Sequence, residues 1–158
     1  MIHHVSIPAR DPTRVAEVLA ELIGGRAFPF SGPLPGARMA VSGDPHGTMI
    51  EVYPDLVVMA PGEGEQQVIY TPADEACGLA PFHLLISTPR SRAAVEAIGE
   101  REGWRTRFFA RAAPGRPPAF HVIEFWVENR ILLEVVTEEM AQEYAAYMQP
   151  ERFAALPA

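Results

Sequence analysis

Four polar residues sit where burial would be costly, and their types suit metal chemistry. His4 and His83 each open a short apolar, strand-like run. Glu51 and Glu134 lie inside apolar runs, Met49-Ile50-Glu51-Val52 and Leu132-Leu133-Glu134-Val135. A carboxylate in such a run is expensive to bury without a partner. Strand alternation puts Met49, Glu51 and Tyr53 on one face, and Leu132, Glu134 and Val136 on one face of the other strand. Two imidazoles and two carboxylates form a nitrogen and oxygen donor set for one divalent ion: Ni, Zn, Co, Fe or Mn. Four such ligands leave about two positions of an octahedron for water or substrate.

An internal repeat makes these four residues a set. Residues 4–30 align without a gap on residues 83–109, and seven of the 27 positions are identical, His4/His83 among them. Average residue usage would give roughly two. Each copy has a short strand followed by an amphipathic stretch: Val15, Val18, Leu19 and Leu22 in the first, Ala94, Val95 and Ile98 in the second. Each stretch ends at a glycine, Gly24 or Gly103, as helices often do, and leads into an Arg-x-x-x-Phe strand. Pro/Gly loops follow at Pro29–Gly36 and Pro114–Pro118, then strands at Ala37–Ser42 and Phe120–Val127. The strands carrying Glu51 and Glu134 close the copies. If the modules pack about an approximate twofold axis, equivalent faces converge and the four side chains meet in one cavity.

The expected organisation is α+β. A first strand-helix-strand-strand-strand module covers 1–55, a linker 56–80 with a possible strand at Gln67–Thr71, and a second module 81–137. A C-terminal helix and tail take 138–158, with Thr137 as N-cap and Glu138 and Glu139 in the first turn. Met140, Tyr144, Tyr147 and Met148 form a helical apolar stripe, expected to pack on the modules or on a second subunit. A net charge of −7 argues against a nucleic-acid partner. No apolar run approaches the roughly 20 residues of a membrane helix, and the N-terminus lacks a signal-like segment. Cys77, the single cysteine, excludes an internal disulfide. A cytoplasmic protein acting on a small molecule is expected.

The paired pattern His-Val-x-Ile…Met-Ile-Glu-Val and His-Leu-x-Ile…Leu-Leu-Glu-Val resembles the vicinal oxygen chelate superfamily, over residues 2–136. This superfamily includes glyoxalase I, methylmalonyl-CoA epimerase, extradiol dioxygenases and the bleomycin and fosfomycin resistance proteins. The resemblance implies two tandem βαβββ modules forming a half-open mixed β-barrel around a metal cavity, with helices outside. It implies one divalent metal ion per cavity, held by His4, Glu51, His83 and Glu134, and a homodimer is expected. A full His/Glu/His/Glu set looks like glyoxalase I; epimerases usually carry Gln where this chain has Glu51. The implied activity is that of a lyase or isomerase working through an enediolate, with Glu51 or Glu134 moving the proton. The alternatives are an extradiol-type dioxygenase using His4, His83 and Glu134, and a non-catalytic resistance-type binder, against which the intact ligand set counts.

Other residues read more plainly. Glu124 is either a supporting group or base near the site or, by preference, an outward paired Glu. His121 alternates to the opposite face, His3 points away from His4, and His46 sits in a turn. Trp126 reads as pocket lining or core. Arg38, Arg105, Arg107 and Arg111 are the cations available to an anionic substrate. Cys77 has no His close in sequence and gives little support for a nucleophile.

Overall fold

Apolar residues spaced for one buried helix face, and alternating residues in the strands between, give each repeat a helix laid on a sheet. A computed structural model of the chain describes residues 2–30, 34–112 and 117–154. The elements are β1 (His4–Ala9), α1 (Pro12–Ile23), β2 (Arg26–Pro29), β3 (Arg38–Val41), β4 (Met49–Pro54), β5 (Val57–Ala60) and β6 (Ile69–Pro72), followed by β7 (His83–Ser87), α2 (Arg92–Glu102), β8 (Thr106–Arg111), β9 (Phe120–Val127), β10 (Ile131–Val136), α3 (Glu138–Tyr147) and α4 (Pro150–Ala154). The chain divides into two compact units, Met1–Pro81 and Phe82–Ala158. Both carry the expected strand-helix-strand-strand-strand order. Of the two expected Pro/Gly loops, residues 31–33 of the first and 114–116 of the second lie outside the described residues.

Each unit holds an open four-stranded mixed sheet, ordered β1-β4-β3-β2 in the first and β7-β10-β9-β8 in the second. The first strand of each module pairs in parallel with the last, which needs a crossover, and the helix supplies it. Both helices start on a side-chain cap: Asp11 accepts from the Arg14 amide and Ser91 from the Ala94 amide. Both end on a glycine in the left-handed conformation, Gly24 at φ 69° and Gly103 at φ 68°. The buried face of α1 is Val15, Ala16, Val18, Leu19, Ala20 and Leu22; that of α2 is the smaller Val95, Ile98 and Gly99. They cover the sheet faces carrying Ile7, Ile50 and Val52 in the first unit, and Ile123, Phe125, Leu133 and Val135 in the second. Each such side chain, fully removed from water, contributes roughly 1.5–3 kcal/mol.

The opposite sheet faces carry Glu51 and Glu134, and they are covered differently. In the second unit α3 packs there: Met140, Ala141, Tyr144 and Tyr147 lie against Phe120, Val122, Val136 and Leu85. Thr137 caps this helix, and Glu138 and Glu139 occupy its first turn. Three members of the expected stripe thus pack, while Met148 is left 39% exposed. In the first unit the residues between the modules fold back as the antiparallel β5–β6 hairpin, with the expected strand lying at Ile69–Pro72. No helix among the described residues is long and apolar enough to cross a membrane.

Two glycines set limits on substitution. A Cβ at Gly103 would meet nothing within 4 Å, so the cost of Gly103→Ala is that of the left-handed backbone, about 1 kcal/mol. A Cβ at Gly25 would lie 2.0 Å from the Val41 carbonyl oxygen on strand β3. Chemical denaturation should therefore show Gly25→Ala to be clearly the more damaging of the two.

Candidate functional site

Parallel register brings each histidine and its glutamate to one face of one sheet. In the first unit His4 lies opposite Met49 and Ser6 opposite Glu51. In the second His83 lies opposite Leu132 and Leu85 opposite Glu134. The two modules therefore hold the same half-set in the same register: an imidazole on the first strand, and a carboxylate two residues further along on the neighbouring strand. His4 and His83 are exposed at the strand ends, whereas Glu51 and Glu134 are only 7% and 8% exposed. His83 Nε2 stands 4.0 Å from Glu134 Oε2. Among the described residues no group of three or more His, Cys, Asp or Glu is gathered as a metal site.

The two buried carboxylates are stabilised in different ways. Glu51 accepts from two hydroxyls on the same oxygen, Oε2: Ser6 Oγ at 2.7 Å and the Tyr53 hydroxyl at 2.8 Å. Ser6 faces Glu51 across the β1–β4 pair, and Tyr53 is the next residue on the same face of β4. Burial pushes the Tyr53 hydroxyl well above the usual phenol range, and hydrogen bonding with Tyr70 and Glu51 pushes it the same way. Tyr53 is therefore a firm, neutral donor at physiological pH.

Glu134 is held by a cation. Arg111, at the end of β8, donates through Nε and Nη2 to Glu134 Oε1, and through Nη2 to Glu124 Oε1 at 2.9 Å. Glu124 faces Glu134 across the antiparallel β9–β10 pair, so the two carboxylates share a face with the guanidinium between them. The β9–β10 turn that sets this register runs through Glu128 and Asn129 at φ 49° and 56°. Asn129 anchors it, accepting from the Arg105 amide and donating to the Gly103 carbonyl. Burial alone would lower the Arg111 guanidinium, but the bonds to Glu134 and Glu124 outweigh it and hold the group above its usual range. The Trp126 indole donates to Glu124 at 3.4 Å.

Several single-residue expectations change on this geometry. Glu124 is paired, but on the face of Glu134 rather than outward, because the register places the two opposite each other. His121 does take the other face: it stacks on Phe108 at 5.2 Å and its Nδ1 lies 2.8 Å from Glu143. His3 Nδ1 lies 2.7 Å from the His46 carbonyl oxygen, at a turn. Arg38 donates to Thr13 and Arg107 to the Thr106 carbonyl, so of the four arginines only Arg111 is bonded to a candidate ligand. Cys77 is an exposed thiol outside any disulfide, and its Sγ lies 3.7 Å from the Gly78 carbonyl oxygen. Of the partners of Glu51, strand alternation placed Tyr53 on its face, while Ser6 was not among the residues read from the sequence. A polar residue two positions from a strand histidine, and a Tyr two positions from a strand glutamate, are the signals that alternation offered.

Arg111→Met would leave Glu134 and Glu124 side by side without their cation. A loss of about 1–3 kcal/mol in unfolding free energy at neutral pH is expected by urea denaturation. In an alkaline absorbance titration of the four tyrosines, one phenol should ionise later than the rest, and Tyr53→Phe should remove that late step.

No family model matches the sequence, and no curated protein matches it. Solved structures do. An integron cassette protein from V. cholerae is 17% identical at a TM-score of 0.51, over 87% of this chain and 94% of that one. A lactoylglutathione lyase from Agrobacterium tumefaciens is 12% identical at 0.50, over 88% and 94%. A mutant of the fosfomycin resistance protein FosX from Listeria monocytogenes, in complex with Mn(II) and 1S,2S-dihydroxypropylphosphonic acid, is 11% identical at 0.51, over 92% and 96%. The paired βαβββ units with their matched register, together with these likenesses along nearly the whole chain, give this protein the fold of the vicinal oxygen chelate superfamily.

Proposed function

We propose that His4, Glu51, His83 and Glu134 together hold one divalent metal ion, and that the protein is a lyase or isomerase acting on a small substrate with neighbouring oxygens. The observation that carries this proposal is the repetition of one His–Glu half-set, in one register and on one face, in both modules. A single module supplies two donors, too few for a stable transition-metal site. Two modules, from one chain or from two chains of a homodimer, supply the four that such an ion takes. The donor chemistry fits: imidazole nitrogen and carboxylate oxygen suit Ni, Zn, Co, Fe and Mn. The likeness to a lactoylglutathione lyase and to an Mn(II)-complexed resistance protein is one of fold, and it agrees with this proposal.

A bound divalent ion would supply Lewis acidity toward a substrate carbonyl and its neighbouring oxygen. The protein's own groups then divide the remaining tasks. Glu51 is the proposed proton acceptor for the C–H beside that carbonyl, leading to an enediolate, because its protein partners are two hydroxyls and not a side-chain cation. Ser6 and Tyr53 orient it. Glu134 already has a cation, Arg111, as partner, and is proposed to serve mainly as a ligand; Arg111 and Glu124 hold it in place.

Elemental analysis of untagged protein should find about one divalent ion per four-donor set, lost in Glu134→Ala. Glu51→Gln should keep the metal, since an amide oxygen still ligates, yet slow solvent-deuterium exchange at the carbon acid roughly 10²–10⁴-fold. Failure to bind any of the five ions on reconstitution would overturn the proposal.

A further inference from the structure

The repeat supplies its own control for what should fill each sheet face. Ser6, Pro8 and Tyr53 occupy the positions in the first unit that Leu85, Ser87 and Val136 occupy in the second. In the second unit α3 fills the space above them, with Tyr144 and Tyr147 against Phe120, Val136 and their neighbours. In the first unit the β5–β6 hairpin reaches over the same patch and does not fill it. A cavity of about 180 Å³ remains, lined by Ser6, Pro8, Tyr53, Val57, Met59 and Tyr70 together with Ile7, Leu34 and Cys77.

We infer that this cavity binds a compact apolar ring, the non-reacting end of a molecule whose oxygenated end lies toward Glu51. Size comes first: an apolar cavity of about 150 Å³ takes one benzene ring, and this one is of that order. Its walls come second. The Tyr53 and Tyr70 rings meet edge to face at 5.8 Å, and Phe30 supports Tyr53 from 6.1 Å, so the aromatic wall is set before a ligand arrives. Met59 adds a thioether, which packs well on ring edges. Polarity comes third. The lining carries the Ser6, Tyr53 and Tyr70 hydroxyls and the Cys77 thiol, and those of Ser6 and Tyr53 are already directed to Glu51 Oε2. A ring seated here therefore stands one hydrogen bond away from that carboxylate. Assigning the ring to a substrate rests on Glu51 being a metal ligand; the capacity of the cavity for a ring does not.

Cys77 lines the cavity and is the single thiol of the chain, so its alkylation reports occupancy. The probe is 1-phenyl-1,2-ethanediol, with ethylene glycol as the ring-free control, on full-length protein stripped of metal by a chelator. Iodoacetamide labelling of Cys77 should slow roughly ten-fold when the aromatic diol stands at about ten times its Kd, and the glycol should have no effect. Met59→Trp, at a position 54% exposed and so tolerant of size, should fill the cavity and abolish the protection; Val57→Phe serves as a second filling variant. Absence of protection in the unaltered protein, or equal protection in both folded filling variants, would overturn the inference. Protection without metal binding on reconstitution would uphold the ring site and overturn the metal proposal. Metal binding without protection would do the reverse.

Discussion

The constraint on which the rest depends is the burial of a carboxylate in an apolar strand, imposed twice. Glu51 and Glu134 are almost wholly removed from water, each flanked along its strand by core residues. Such a group requires partners, and every unusual feature near it can be read as a way of supplying them. The parallel pairing of first and last strands delivers Ser6 to Glu51. The antiparallel pairing of β9 and β10 delivers Glu124 to Glu134, and that second carboxylate in turn calls for Arg111.

The two modules solve the same problem with different chemistry. Two neutral hydroxyls orient Glu51 through one oxygen. A guanidinium neutralises Glu134 and locks it to a neighbour. Duplication of one unit thus leads to a pair of buried carboxylates alike in backbone setting and unlike in electrostatics. The same divergence extends to what covers each sheet: a packed helix in one unit, a spanning hairpin over a cavity in the other.

Much of this was legible in the residues, because it depends on short-range periodicity. The repeat, the helix cap at Thr137, the terminal glycines and the strand faces of Glu51 and Glu134 follow from spacing alone. Glu124 was misplaced for an instructive reason. Alternation within β9 separates it from His121, but says nothing about which face of β10 it will meet; only the pairing register decides that.

By itself the sequence determined two βαβββ modules and a matched His–Glu half-set in each, since both are written in local periods of roughly 2 and 3.6 residues. Only the tertiary structure decided which partners those carboxylates have. Ser6 and Glu51 are 45 residues apart, and Arg111 and Glu134 are 23 apart. Contacts at such separations are set by strand register and turn geometry, where a slip of one residue would exchange the two faces of the sheet. The cavity beside Tyr53 belongs to the same class. It exists because a hairpin from residues between the modules folds back where the other module places a helix, and no local pattern encodes the space left underneath.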